Sequence, residues 1–373
     1  MRVLGGVLAL AAVAAMVIAV LPPGAPSPRE VDWEGAADGP ATGLRVAWVG
    51  HSLMNARDSH LESGANVIEM VGRFAEAKGG TYAMTDHTLF GAPLSLLWQG
   101  HPHSYTRDEP QMVEGRRDLL EGEHDALVAT EGIPVDLSRA REHSSYYLQR
   151  FYCEFLERNP DGRVYVYESW VHLQGSDPEA EYLPAHQWTW TDQLRFARPG
   201  WDALADEAMT GAVVGPSISD RFNRFLGDGE GCEPTAPIFL IPVATAMRAL
   251  AERLEEAHRW SYQGRPLTAA DLMLNPYAAW PEGWPTEDPL SDAEVAAALE
   301  ALPLRHPDEE LDDVHPSNLG VYFASLVSYA TLYRQSPVGL PTVGGLPEST
   351  ARGLQELVWQ VVVSEPRTGV RAE

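Results

Sequence analysis

The sequence predicts an α/β protein in which helices cover both faces of a mainly parallel sheet of about five strands. Five short apolar runs are separated by stretches with helical periodicity, and this alternation is typical of a three-layer α/β/α sandwich. The first run, residues 46–49, is uninterrupted and ends at Gly50, as expected for a strand buried on both faces. With 373 residues, the chain is long enough for one such domain with insertions.

The strands and helices are predicted to alternate from residue 44 onward. Apolar runs bounded by glycine, proline or polar residues predict the strands, and apolar residues three and four positions apart predict the helices. The predicted strands cover residues 44–49, 81–89, 126–129 and 237–242, and the alternation at the start of residues 163–172 predicts a further strand between the last two. The predicted helical stretches cover residues 67–77, 146–155, 246–254, 290–302, 319–330 and 348–363.

Two long segments lack regular periodicity. Residues 175–233 and 259–289 are rich in tryptophan, proline and turn residues. Long irregular segments in enzymes often form lids or the walls of a substrate site. We therefore predict two insertions in the domain at these positions. After the domain, residues 337–373 are predicted to form a linker, a C-terminal helix and a polar tail.

The N-terminal 21 residues are typical of an export segment. A run without charged residues extends from Val3 to Leu21 and follows a single arginine. This run is long for a cleaved signal peptide and just long enough to cross a bilayer, so a signal peptide and an uncleaved membrane anchor both remain open. Residues 22–43 predict a flexible linker. We expect the rest of the chain to be periplasmic or extracellular.

The charge and the cysteine content of the chain restrict the classes of binding partner and the cellular compartment that we expect. The chain has 53 acidic and 27 basic residues, a formal charge of −26, which argues against nucleic acid or anionic membrane as a partner. Membrane contact is therefore expected only through residues 3–21. Cys153 and Cys232 could pair in an oxidising compartment, although their spacing alone leaves the pairing open.

Ser52 is the candidate nucleophile. It lies two positions after Gly50, which ends the first predicted strand, and open α/β sheets bind ligands beyond the carboxyl ends of their strands. A serine hydroxyl needs a base that is itself held by a third group. Near the other end of the chain, His315 is the candidate base, with Asp312 and Asp313 as candidate acids.

The pairing of these two segments resembles the SGNH (GDSL-like) hydrolase superfamily. The block Gly-His-Ser-Leu at residues 50–53 precedes Asp312-x-x-His315-Pro316 and Gly320. The resemblance extends over residues 44–336 and implies a flavodoxin-like sandwich with a Ser52–His315–Asp312 triad. The family spacing favours Asp312 over Asp313 as the acid.

The resemblance also implies an oxyanion hole. The backbone N–H groups of Ser52 and Gly91 are the expected donors. Two residues depart from the family pattern, because His51 stands where Asp or Asn is usual and Glu131 stands where an asparagine donor is usual. An ionised carboxylate cannot donate a hydrogen bond, so Glu131 either leaves the third donor missing or has another task, such as orienting a substrate hydroxyl.

Trp170 and His172 follow the fourth predicted strand and are further candidates for substrate binding. Both residues lie at the carboxyl end of the sheet, where they could line the pocket, although packing in the core explains them as well.

The predicted function is hydrolysis of carboxylic esters, among them O-acyl groups on carbohydrate, through an acyl-enzyme intermediate. This chemistry requires no metal and no organic cofactor. Two alternatives remain: an acyltransferase that uses the same triad, and a non-catalytic exported binding protein on the same scaffold.

Overall fold

The computed structural model describes residues 33, 39–55, 66–99, 102–103, 111–112, 122–173, 189–210, 232, 236–256, 260–275 and 312–371. These residues form a three-layer α/β/α sandwich, so the predicted fold class is confirmed. The predicted export segment, the predicted helix at residues 290–302 and parts of the two predicted insertions lie outside the described residues, namely residues 175–188, 211–231, 233, 259 and 276–289 of the insertions.

The central sheet consists of five parallel strands in the order β2-β1-β3-β4-β5. Its strands are β1 (Gly43–Gly50), β2 (Thr81–Thr88), β3 (Ala126–Ala129), β4 (Arg163–Tyr167) and β5 (Ile238–Ile241). The chain leaves β1 to form β2 on one side and then returns to form β3 on the other. The carboxyl end of β1 is therefore the topological switch point, where α/β proteins commonly place their ligand site.

Two layers of helices cover the sheet. On one face lie α1 (Val67–Ala77), α6 (Val243–Glu256), α7 (Asn318–Tyr333) and α8 (Glu348–Ser364). On the other face lie α2 (Leu94–Gln99), α3 (Val135–Glu142), α4 (Ser144–Arg158) and most of α5 (Trp190–Met209). Alternate residues of β1 point to opposite faces, so Trp48 packs with the first layer and Val49 with the second. Because both faces are covered, β1 reads as a continuous apolar run.

Capping residues fix the starts of two helices near the switch point. The Asn66 side chain accepts a hydrogen bond from the Glu69 backbone N–H at 2.8 Å and begins α1. Ser317 accepts from the Gly320 N–H at 3.1 Å and begins α7. Each side-chain oxygen satisfies a backbone donor that has no partner within its own helix.

The predicted insertion at residues 175–233 contains a regular element. Helix α5 occupies 20 of its residues and packs Trp201 and Leu204 against the sheet. The irregular interpretation was therefore wrong for this part. Pro199 and Gly200 lie inside the helix and interrupt the sequence signal, because proline removes a backbone hydrogen bond and glycine disfavours helix.

The predicted linker and tail regions also contain residues that pack against the domain. Trp33 lies edge to face against Phe239 of β5, with ring centroids 6.0 Å apart, and the Arg367 guanidinium lies 5.4 Å from the Trp33 ring centroid. Val370 is buried. Residues on both sides of the predicted hydrolase domain thus contribute to one core.

Cys153 of α4 and Cys232 form a disulfide, with Cα atoms 5.5 Å apart. The bond joins α4 to the chain that leads into β5, and it settles the pairing that spacing alone left open. Among the described helices, none combines the length and apolar character needed to cross a membrane.

Candidate active site

Ser52 lies in a tight turn directly after β1. The His51 carbonyl accepts hydrogen bonds from the Met54 N–H at 3.0 Å and the Asn55 N–H at 3.3 Å, which closes the turn. Gly50, the last residue of β1, leaves room for two neighbouring side chains, because a Cβ at Gly50 would lie 2.5 Å from Thr130 Cγ2 and 2.7 Å from Met54 Cε. The close approach of β1 and β3 at this point therefore fixes where the serine emerges.

His315 reaches Ser52 from the other end of the chain. Its Nε2 lies 2.8 Å from Ser52 Oγ, across 263 positions of sequence. This distance is that of a hydrogen bond, with the serine hydroxyl donating to an unprotonated Nε2. The contact brings the predicted nucleophile and the predicted base together in the geometry that proton transfer requires.

The strand that carries His315 lies outside the central sheet. It is β7 (Asp312–Pro316), and it pairs with the antiparallel strand β6 (Met273–Asn275). The segment after β4 also holds it: the Trp170 indole N–H donates to the Val314 carbonyl at 2.7 Å, and the Leu173 N–H donates to the Asp313 carbonyl at 3.1 Å. These contacts fix the direction in which His315 points.

Trp170 and His172 have different surroundings. Trp170 has no exposed surface, so it packs in the core and supports β7 instead of lining a pocket. The His172 side chain is 42% exposed, and its Nδ1 lies 2.6 Å from Asp313 Oδ1. Asp313, the alternative acid for the triad, therefore contacts His172. Asp312 lies in β7, but its side chain is outside the described residues, so its place in the triad stays a prediction.

The loop after β2 borders the Ser52–His315 pair. The Leu89 N–H donates to the Gly50 carbonyl at 2.9 Å, which joins this loop to the end of β1. Phe90 then stacks on the His315 ring, with centroids 5.3 Å apart and planes 24° apart. Gly91 follows with φ of 63°, a conformation that favours glycine. Its role as an oxyanion donor remains a prediction.

Glu131 is fully buried beside these loops. Its Oε1 accepts from the Gly132 N–H at 2.7 Å and its Oε2 accepts from the Leu94 N–H at 3.3 Å. Burial raises the pKa of the carboxyl to about 7, and these two donors together with the Ser144 hydroxyl oppose that rise. Because its oxygens bind the protein's own backbone, Glu131 does not match the predicted role of orienting a substrate hydroxyl.

His51 contacts the same residue. Its Nε2 lies 2.9 Å from the Glu131 carbonyl oxygen, and its Nδ1 lies 3.4 Å from the Leu53 N–H. Burial lowers the pKa of His51 to about 4, the Glu131 carbonyl opposes this and the nearby His315 adds to it. A neutral ring that donates through Nε2 and accepts through Nδ1 satisfies both contacts. His51 and Glu131, the two residues that depart from the family pattern, are thus hydrogen-bonded to each other.

Sequence reasoning did not anticipate Phe90 or the contact between His51 and Glu131. Phe90 carried one weak signal, its position directly before Gly91. The contact joins the ends of two neighbouring strands, and no local spacing encodes it.

Proteins similar to this chain were found among solved structures. No family model matches the chain, and no curated protein matches it. Similar solved structures include a DUF4886 family protein from Bacteroides uniformis, at 12% identity over 86% of this chain and 95% of that one, with a TM-score of 0.43. They also include a protein from Parabacteroides merdae described as a GDSL-like lipase, at 12% identity over 78% and 96%, with a TM-score of 0.37. A third is Axe2, an acetylxylan esterase from Geobacillus stearothermophilus, at 11% identity over 50% and 95%, with a TM-score of 0.30.

The fold and the site define an α/β protein with a serine and a histidine in contact at the switch point of a parallel sheet. The parallel sheet, the serine after β1 and the late histidine that reaches it have the arrangement that the resemblance to the SGNH (GDSL-like) superfamily implies.

Proposed function

We propose that the protein is a serine hydrolase that cleaves carboxylic esters. One observation carries the proposal, the 2.8 Å contact between Ser52 Oγ and His315 Nε2. A serine hydroxyl is a weak nucleophile, and an imidazole within hydrogen-bond distance can take its proton as it attacks. Both residues were chosen from sequence motifs, without information on their positions in space.

The reaction proceeds in two steps. His315 Nε2 takes the proton as Ser52 Oγ attacks the ester carbonyl carbon, and the same proton then passes to the departing alcohol, which leaves an acyl-enzyme. Water attacks this ester with His315 again acting as base, and Ser52 is regenerated. The N–H groups of Ser52 and Gly91 are assigned to the oxyanion, and Asp312 is assigned to hold the His315 ring.

The substrate class proposed is an O-acyl group, such as an acetyl ester, on carbohydrate. Phe90 supports this assignment, because it is 47% exposed and lies against the His315 ring. An exposed aromatic face can pack on the apolar face of a sugar ring. The net charge of −26 disfavours polyanionic substrates.

We propose that the protein works outside the cytoplasm. The Cys153–Cys232 disulfide supports this location, because disulfides persist mainly in oxidising compartments. The uncharged run at residues 3–21 is consistent with export.

A fluorophosphonate probe tests the chemistry. The wild-type protein should be labelled, and labelling should disappear in Ser52→Ala. His315→Ala should lower both labelling and the hydrolysis of p-nitrophenyl acetate by about 10⁴-fold or more, the usual effect of removing a triad residue. Ser364→Ala, at an exposed serine that bonds to the Val361 carbonyl of its own helix, is the matched control and should match the wild type.

Two outcomes would favour the alternatives. Folded wild-type protein that resists the probe would favour a non-catalytic binding protein. Acyl transfer to an added sugar at the expense of hydrolysis would favour an acyltransferase. Comparing the products with and without a carbohydrate acceptor separates transfer from hydrolysis.

A further inference from the structure

The Glu131 side chain lies between the two loops that border the candidate site. Glu131 follows β3, which pairs with β1, and its carboxyl has no exposed surface. Its Oε2 binds the N–H of Leu94, the first residue of α2. Leu94 lies three positions after Gly91, so this bond anchors the chain immediately downstream of the predicted oxyanion donor.

The main chain of Glu131 contacts the other loop. Its carbonyl oxygen accepts from His51 Nε2 at 2.9 Å, and His51 is adjacent to Ser52. One residue therefore holds the serine turn through its backbone and the Gly91 loop through its side chain.

We propose that Glu131 is a positioning residue, whose carboxyl sets the distance between the Gly91 loop and the Ser52 turn. This inference rests on the proposed function, because the distance matters only if both loops serve one reaction. It assigns a role to a residue that departs from the asparagine expected of the resembled family.

A carboxylate suits this position better than an amide. Two backbone N–H groups, those of Gly132 and Leu94, point at two different oxygens. An ionised carboxylate has two accepting oxygens, whereas an amide has one and presents an NH₂ group to the second donor. In the ionised form of Glu131, which lies above its raised pKa of about 7, the bonds are also stronger than bonds to a neutral acceptor. An asparagine or glutamine here would lose one of the two contacts.

The decisive comparison is between Glu131→Gln and a matched control, Glu168→Gln. Glu168 is, among the described residues, a second fully buried glutamate at the end of a neighbouring strand, and burial raises its pKa to about 7 as well. Its oxygens bind Thr245 of α6, through N–H at 2.9 Å and the hydroxyl at 3.0 Å, and Oε1 also lies 3.9 Å from Arg198 Nη1. The two substitutions therefore neutralise buried carboxyl groups at different places, and the contacts of Glu168 do not involve the loops at Ser52.

Two readouts are needed, steady-state kinetics with p-nitrophenyl acetate and hydrogen exchange of peptides that cover residues 89–97. Glu131→Gln should lower kcat about tenfold or more with little change in KM, because misplacement of a reacting group by about 1 Å can cost a factor of a hundred. It should also speed exchange over residues 89–97. Glu168→Gln should keep the wild-type kcat and the wild-type exchange in this segment, even if its Tm falls.

The proposal is overturned if Glu131→Gln retains the wild-type kcat, or if kcat falls without faster exchange over residues 89–97. An equal fall of kcat in the Glu168 variant would also overturn it. If Glu131→Gln does not fold, Glu131→Asp replaces it, because the shorter side chain keeps the charge but withdraws from Leu94. A wild-type protein without esterase activity would refute the proposed function, whereas the exchange data would still decide whether Glu131 holds the loop.

Discussion

Replacing Gly320 with alanine should lower the activity about a hundredfold, while the protein, although destabilised, stays folded. Gly320 lies in the first turn of α7, five positions after His315, and a Cβ there would come 2.0 Å from the Leu272 carbonyl oxygen. That oxygen is part of the backbone and already accepts the Ser317 N–H at 2.9 Å. The added methyl group therefore cannot be relieved by rotating a side chain.

The size of the effect follows from the geometry. Cβ atoms essentially never approach a neighbour within 3.0 Å, so the start of α7 must move by about 1 Å or more. Passed on to His315, such a shift lengthens its 2.8 Å contact with Ser52 beyond hydrogen-bond range. A misplacement of about 1 Å can cost about a hundredfold in rate. Overpacking costs about 1–3 kcal/mol, and the better helix propensity of alanine returns about 1 kcal/mol.

The assay is kcat/KM on p-nitrophenyl acetate together with Tm. Gly353→Ala is the control, because it adds a methyl group at another crowded helical position, 2.6 Å from the Trp260 side chain, in α8. The control should retain wild-type kcat/KM, whereas Gly320→Ala should lose about a hundredfold with a Tm change of a few degrees. Wild-type activity in folded Gly320→Ala would refute the argument that this helix start fixes His315.

Three further predictions follow from the packing. Trp170→Phe leaves the Val314 carbonyl without the indole donor, so the free energy of unfolding measured in urea titrations should fall by about 1–3 kcal/mol. The value of kcat/KM should fall as well. Unchanged values of both quantities would show that the bond is dispensable. Replacing Cys153 and Cys232 together by serine opens a link across 79 positions and should cost about 2–4 kcal/mol by the same titration while kcat stays at the wild-type level. For Glu168, burial raises the pKa from 4.5 to about 7, so the folded state binds more protons than the unfolded state in this window and stability falls as the pH rises through it. Glu168→Gln lacks this group, and its free energy of unfolding should therefore decline less between about pH 4.5 and pH 7 than that of the wild type; an equal decline would contradict the assignment.

The five strands and most of the packed helices could be predicted from the sequence, because their apolar patterns are local. Residues 126–129 form a strand with the predicted bounds, and the fourth strand begins at Arg163 as predicted. Helix α5 was not predicted, because Pro199 lies within it and its buried face is recognised only once the sheet it covers is known. The sequence pattern of α5 contains no information on the sheet against which the helix packs, and only the structure shows that sheet.

The nucleophile and base could be predicted because each lies in a short motif, whereas their surroundings could not. Glu131 was expected either to leave a donor missing or to contact the substrate. Its actual partner, the Leu94 N–H, lies 37 positions away and is a backbone group that any residue would carry. Hydrogen bonds between a side chain and the backbone of another loop depend on where the loops from different strands end. Such bonds cannot be predicted from the spacing of residues in the sequence.

Strand β7 carries the histidine, yet its only strand partner among the described residues is β6, in a two-stranded sheet separate from the central one. The hydrogen bonds that Trp170 and Leu173 donate to β7 therefore contribute directly to the local stability of the base, and we expect this two-stranded ribbon to open more readily than the five-stranded sheet. As denaturant is added, turnover should consequently fade before the far-ultraviolet circular dichroism of the five-stranded sheet changes. The rate at which such a protein loses activity would be set by local unfolding of the β6–β7 ribbon, which precedes unfolding of the whole chain.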